Sequence, residues 1–477
     1  MSILDIIEQN HKVKKEFTFN FTYLPMDDSQ KKVIDLSHKA EMLAITGCAG
    51  SGKSSTIINL IIDGLCHNKK ILVVSKSQTA VQVIYDRLSE LNIDCLAVMG
   101  GKKDFNCQLA SKLMDICEGK VNIAHKNANV LTTLLNKDVL SLVKTKRAKA
   151  IEDLKLNHRK TLITMAKALP ENNKTKKQKI INSIDYDAIL SALPVWICTT
   201  NELATCLPLK ENIFNNLIAD ETSECDIASM IPAMFRTKDR AFFFGDNMQM
   251  KFLSFLEQKK ELSFAKKYDI PDDLYLAWRY RTNSMFDWAN FYCNESILLN
   301  QHYRSACNAF QFNSNEFYNG AIKCVKEYDK DAIQKRFVKG GMTEKGKSIN
   351  LKEVEAIIEE VKKIIAKGEK CSIGIISPFK QQVAAIEKAL IEVIPYNQIL
   401  EYEIKVGTVF QWQGGEATYM LCSWVISDNS PFQLKTFINN KNHFNVATSR
   451  SKKRMINFYS TENLGDGLIS KYLNSIK

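Results

Sequence analysis

Gly47-Cys48-Ala49-Gly50-Ser51-Gly52-Lys53-Ser54 decides the reading of this 477-residue chain. The apolar run Met42-Leu43-Ala44-Ile45 precedes it and the helix-like Thr56-Ile57-Ile58-Asn59-Leu60 follows, so a glycine-rich loop lies between a strand and a helix. Glycines let successive backbone N–H groups turn inward around an anion, and the next helix presents its positive N-terminal end to the same point. The segment predicts a phosphate-binding loop in which Gly47, Gly50, Ser51, Gly52, Lys53, Ser54 and Ser55 surround a nucleotide. Lys53 reaches the β and γ phosphates and the Ser54 hydroxyl ligates Mg2+, which implies a nucleoside triphosphatase.

Phosphate oxygens and one hydroxyl do not hold a magnesium ion, and hydrolysis needs an oriented water. Leu217-Ile218-Ala219-Asp220-Glu221 supplies both needs, as an apolar strand ending in Asp220 for the metal and Glu221 for the water.

Composition narrows the class without naming it. The length suits about three domains, and 45% hydrophobic content is that of a globular protein. A net charge of +12 favours a polyanionic partner but does not establish one. None of the 13 cysteines forms a Cys-x-x-Cys pair, so reduced thiols in a cytoplasmic compartment are expected. Met1 to Glu8 carries acids where a secretory leader needs a basic start, and no apolar run approaches the ~20 residues that span a bilayer. A soluble, intracellular protein without a membrane partner is expected.

Apolar runs alternate with helical periodicity in two regions, the pattern of parallel sheets covered by helices. The first has strand candidates at 42–46, 71–74, 195–199, 216–219 and 241–244; the second at 372–377, 405–409, 418–425 and 455–458, with an amphipathic helix over 351–367. The fold class is α/β, with domain 1A over 1–98 and 194–296, a helical basic insertion over 99–193, and domain 2A over 297–477. The insertion carries Lys144, Lys146, Arg147, Lys149, Lys155, Arg159, Lys160 and Lys167, then Lys174, Lys176, Lys177 and Lys179 after the turn Pro170-Glu171-Asn172-Asn173. It reads as a projecting helical hairpin, either a solvated stalk or a contact for nucleic acid.

Further segments resemble, in order, the motifs of superfamily 1 helicases. Pro25-Met26-Asp27-Asp28-Ser29-Gln30 resembles the glutamine motif, 71–81 motif Ia, and Gly245-Asp246-Asn247-Met248-Gln249 motif III. Leu299-Asn300-Gln301-His302-Tyr303-Arg304-Ser305 with Phe317-Tyr318-Asn319-Gly320 resembles motif IV, 406–416 motif V, and Asn445-Val446-Ala447-Thr448-Ser449-Arg450-Ser451-Lys452 motif VI. The acidic stretch Asp220-Glu221-Thr222-Ser223-Glu224-Cys225-Asp226-Ile227 is similar to that of bacterial members of the 1B branch, which also holds the RNA helicase of nonsense-mediated decay.

The resemblance spans about 25 to 460 outside the insertion. It implies two RecA-like domains with ATP between them, a single strand of DNA or RNA across their top, and 5′-to-3′ stepping, generally as a monomer. It implies that Gln30 holds adenine, Gln249 senses the γ-phosphate, Glu416 contacts the nucleotide sugar, and Arg304 and Arg450 are arginine fingers, with Arg281 a rival for the first. Ser77, Gln78, Thr199, Thr200, Pro378, Phe379 and Thr408 match positions that grip the strand, Phe379 as a stacking ring or equally a core aromatic. Glu224, Asn247, Gln78 and Gln82 depart from the family pattern without removing a phosphate ligand, metal ligand or finger. Two readings stay open: a helicase or translocase, and a nucleic-acid-activated ATPase switch that signals to a protein partner without processive unwinding. A small-molecule kinase would leave the second region's motifs unexplained.

Overall fold

The computed structural model describes residues 20–120, 134–344, 347–430 and 432–476. The segment read for a leader and part of the basic insertion lie outside those residues. Two compact units emerge. The first holds the described residues up to Gly47 with Lys53–Asp246 and Lys251–Leu299; the second holds Cys48–Gly52, Asn247–Met250 and the residues from Asn300 on.

The first unit is built on seven parallel strands, β1 Met42–Gly47, β2 Ile71–Ser75, β3 Ala97–Met99, β4 Val195–Thr199, β5 Phe214–Asp220, β6 Thr237–Gly245 and β7 Glu295–Leu299, in the order β3-β4-β2-β5-β6-β1-β7. Helices cover both faces of such a sheet, so its strands read as continuous apolar runs: Ile71, Leu72, Val73 and Val74 are all fully buried. Register aligns Ser75 with Thr199 on one side and with Asp220 on the other. Three of the expected site strands thus end in one row at the carboxyl edge, where open parallel sheets collect ligands.

Sequence patterning missed β3 and β7. The second of these pairs with β1 from Glu295 to Leu299, so the first sheet runs past the boundary placed at residue 296.

Between β3 and β4 the described residues form five helices, Lys103–Cys117, Leu134–Asn157, Arg159–Ala168, Lys174–Ser183 and Tyr186–Ala192. They are not a projecting hairpin. Leu113, Val143, Leu154, Leu162, Met165 and Ile181 are buried in the same core as the sheet, because each helix has an apolar face that must be covered. Two of the basic residues serve this packing. Lys177 is buried and donates to the Leu169 carbonyl at 2.5 Å, and the buried Arg147 donates to the Ser191 carbonyl at 2.8 Å.

In the second unit five parallel strands, β10 Ile333–Phe337, β11 Ile373–Ser377, β12 Lys405–Thr408, β13 Ala417–Ser427 and β14 Ser451–Ser460, run in the order β10-β14-β13-β11-β12. A separate parallel pair, β8 Gln301–Ala306 and β9 Lys323–Lys326, precedes them. The helix Leu351–Ala366 lays Val354, Ile357, Ile358, Val361 and Ile364 into the core. No helix among the described residues is long and apolar enough to cross a membrane.

Glu353, on that helix, is fully buried and accepts from Ser423 Oγ at 2.6 Å, the Val425 N–H at 2.9 Å and Ser460 Oγ at 3.1 Å. Burial outweighs these hydrogen bonds and pushes its carboxyl up from 4.5 to about 7. The fold prefers the protonated form, so this group's contribution is greatest at and below pH 4.5 and falls as pH rises toward 7. The loss is on the order of 3 kcal/mol. Glu353→Gln is therefore expected to flatten the decline of thermal stability across that interval, read as Tm against pH. An unchanged profile would contradict the assignment.

Candidate functional site

In the first unit, the helix Lys53–Cys66 begins where the phosphate loop ends and brings Lys53 to the end of β5. Lys53 Nζ lies 3.0 Å from Glu221 Oε1, with both side chains largely buried. Glu221 has φ +52, a left-handed conformation that a glutamate seldom adopts, and this turn sets its carboxylate on Lys53. Asp220 Oδ1 accepts the Glu221 N–H at 2.9 Å.

Burial lowers the Lys53 ammonium, but Glu221, Asp220 and Asp246 outweigh it and raise the net value. Burial and then Glu221 push the Asp220 carboxyl up to about 6 against the pull of Lys53. Three buried acids around one ammonium leave room for further positive charge. A hard divalent cation held by Asp220 and the half-buried Ser54 hydroxyl fits this donor set. Ser55 Oγ accepts from Arg87 Nη1 at 3.0 Å. Gln30 is buried, and its Oε1 accepts the Asp27 N–H at 3.1 Å as one arm of the capping box that starts the helix Asp28–Ser37.

In the second unit, the loop Cys48–Gly52 meets β8. Gly50 and Gly52 have φ +78 and +82. A side chain on Gly50 would stand 2.6 Å from Arg304 Cβ and 2.9 Å from His302 Cε1. His302, which sequence reading quoted without a role, reaches the Ala49 carbonyl through Nδ1 at 2.9 Å and accepts the Ser305 N–H on Nε2 at 3.0 Å. A carbonyl only accepts, so Nδ1 carries the proton. Burial, with Arg304 beside it, holds the ring neutral down to about pH 3. A neutral imidazole against the phosphate loop adds no charge of its own.

Arg450 is buried and donates from Nη2 to Gln249 Oε1 at 3.0 Å, joining the two residues assigned to the γ-phosphate. Arg304 Nη2 lies 2.7 Å from Glu416 Oε2, and its Nη1 donates to the Ser449 carbonyl at 2.9 Å. Glu416 Oε1 pairs with Lys452 Nζ at 2.8 Å. Burial works against the Glu416 charge, but Arg304 and Lys452 prevail and hold its carboxyl below the ordinary glutamate value. Both Glu416 oxygens are engaged by cations in this structure, and its contact with a nucleotide sugar stays an expectation of the resemblance. Arg281 is exposed in the first unit, with its backbone N–H on Glu261 Oε1 at 2.8 Å.

The residues matched to strand contacts occupy carboxyl ends of strands. Ser77 caps the helix Gln78–Glu90. Thr199 and Thr200 are buried at the end of β4, with Thr199 Oγ1 donating to Glu202 at 2.7 Å. Thr408 ends β12 beside Ser377 of β11, and Gln411 accepts from both its N–H and its hydroxyl at 2.7 and 3.1 Å. Pro378 and Phe379 follow β11. The Phe379 ring is 8% exposed and packs 5.6 Å from Phe437, so it is a core aromatic rather than a stacking platform. Exposed rings do lie in that cluster. Phe437 and Phe410 flank His443 at 5.0 and 5.1 Å and are 38% and 49% exposed. Sequence reading passed over Phe410, whose signal was an aromatic two residues beyond Thr408.

Two family models, each described as an AAA domain, match residues 25–251 and 282–460. DNA polymerase alpha-associated DNA helicase A of Saccharomyces cerevisiae is 22% identical over 469 residues, covering 90% of this chain and 64% of its own. An uncharacterized ATP-dependent helicase of Mycoplasma genitalium is 32% identical over 111 residues, 22% of this chain and 10% of its own. This chain therefore spans less than two thirds of the length of either relative. Among solved structures, arterivirus nonstructural protein 10, a helicase, in complex with DNA, aligns over 90% of this chain and 63% of its own at 9% identity and a TM-score of 0.38.

Proposed function

We propose, from the premise that this chain belongs to the superfamily 1 helicases, that it hydrolyses ATP with Mg2+ to move along single-stranded nucleic acid and separate strands. The observation that carries this reading is the buried Lys53–Glu221 pair beside Asp220. It gathers a phosphate-binding cation, a water-orienting carboxylate and a metal-binding carboxylate at one point.

The triphosphate competes with Glu221 for Lys53, and the released carboxylate orients the attacking water. Asp220 and Ser54 would hold Mg2+, which would neutralise charge on the phosphates. Within the second unit Gln249 holds Arg450 and Glu416 holds Arg304, and the resemblance to superfamily 1 helicases supports these two arginines as the cations that answer charge on the transferred phosphoryl group. Glu416 thus acts through Arg304, as a positioning residue. The 1B resemblance supports 5′-to-3′ movement. A duplex with either a 5′ or a 3′ single-stranded tail, in DNA and RNA versions, tests this: displacement only from the 5′ tail is expected. ATP turnover without displacement on any tail would favour the switch.

Among the basic residues of the insertion, Lys149, Lys160, Lys167, Lys174 and Lys179 are exposed. If they meet phosphates, changing all five to Gln lowers the slope of log affinity against log salt by about 0.7 for each single-strand phosphate that is no longer neutralised. An unchanged slope would make the helices scaffold only. Point changes are the right test, because deletion would open the shared core.

A further inference from the structure

Asn59, Asp63 and His67 recur every four residues along and just beyond the helix Lys53–Cys66 and so share one face. Asn59 Oδ1 accepts the N–H groups of Tyr23 and Leu24 at 3.0 and 2.9 Å, and Asp63 Oδ1 accepts the Phe21 N–H at 2.8 Å. This face holds the extended segment that leads to Gln30. Its far end meets His38, the residue that closes the helix Asp28–Ser37.

His38 is 8% exposed, and its Nε2 lies 3.0 Å from Asp63 Oδ2. That nitrogen nevertheless makes no hydrogen bond among the described residues. An imidazole that served only as a donor to Asp63 would aim its N–H at the carboxylate. His67 Nδ1 lies 2.8 Å from the Asp63 carbonyl, which only accepts, and 3.6 Å from Asp63 Oδ1, so Nδ1 is the donor and Nε2 is the nitrogen left for a metal. The two imidazole rings are 5.0 Å apart between centroids. One donor atom from each of His38, Asp63 and His67 lies within 4.8 Å of the other two.

We propose that His38, Asp63 and His67 form a zinc site that ties the end of the glutamine-motif helix to the end of the phosphate-loop helix. Two imidazoles and a carboxylate are a zinc donor set, with a fourth position for water. Metal–ligand distances of about 2.0–2.2 Å put tetrahedral ligands roughly 3.4 Å apart, so the widest pair closes by at most about 1.4 Å. The outer contacts are also in place: the Phe21 N–H holds Asp63, and the Asp63 carbonyl fixes the tautomer of His67. The site is remote in role from Asp220 and Ser54, whose oxygens suit magnesium.

The test uses the full chain, stripped with chelator and titrated with Zn2+ without Mg2+ or nucleotide. Calorimetry is expected to show one tight equivalent, with a rise in Tm at saturation. Co2+ in its place is expected to give visible d–d bands without thiolate charge transfer. His38→Ala and His67→Ala should each lose that equivalent, while His67→Cys should keep it and add a thiolate band. Absence of zinc uptake by the unaltered chain, or equal uptake by folded alanine variants, would overturn the site and leave an Asp63 ion pair with its histidines. If the alanine variants do not fold, the cobalt spectrum of the unaltered chain decides, and thiolate bands there overturn the proposal.

Discussion

Glu221→Gln is expected to bind ATP and to hydrolyse it about 10³-fold more slowly, within the range lost when a water-activating base is removed. The amide keeps the size of the side chain and the φ +52 turn that carries it, but it cannot take a proton. It also no longer neutralises Lys53, which is free to hold phosphate, so nucleotide affinity should hold or improve. Lys53→Ala removes the cation from the same pair and should abolish both turnover and tight binding. Rates are read by phosphate release and affinity by a fluorescent nucleotide. Turnover close to that of the unaltered chain in either variant would contradict the site.

Arg450→Ala should lower kcat by about 10³-fold or more while changing nucleotide affinity less than about tenfold, since a finger acts on charge that develops in the transition state. Its guanidinium is 1% exposed and already fixed on Gln249, so little ordering remains to be done when hydrolysis begins. Arg304→Ala should behave likewise, and Glu416→Gln should give a smaller loss of kcat because it loosens Arg304 without removing it. Arg281→Ala is the control, with an exposed side chain and turnover expected near that of the unaltered chain. Equal loss in Arg281→Ala would mean that the wrong arginine has been assigned.

What could be read in the chain follows from its physics. Strands buried on both faces announce themselves as apolar runs, which is why β1, β2 and β4 were legible and why Asp220 and Glu221 stood out at the end of one. Ala97–Met99 is three residues long, and Ile333–Phe337 alternates Ile333, Lys335 and Phe337 with Gln334 and Arg336 on an edge, so neither gives that signal. The insertion misled because its lysines dominate the composition while its apolar positions, spread over five helices, decide the packing. Contacts such as Arg450 with Gln249, 201 residues apart, and His302 with Ala49, 253 apart, have no local signature. Resemblance of motifs assigns each residue of the first pair a role at the γ-phosphate but not their contact, and nothing in the sequence points to the second. Phe379 was ambiguous because an aromatic after a strand fits a core or a stacking ring equally, and burial against Phe437 decided it.

The central claim is that ATP hydrolysis at Lys53, Asp220 and Glu221 is coupled to a nucleic-acid strand. Steady-state phosphate release without nucleic acid, then with single-stranded DNA and RNA of matched sequence at low and moderate salt, tests it directly. Turnover that rises at least tenfold with one polymer and is lost in Glu221→Gln is the predicted result. Turnover that depends on Glu221 but ignores both polymers at both salt concentrations would contradict it.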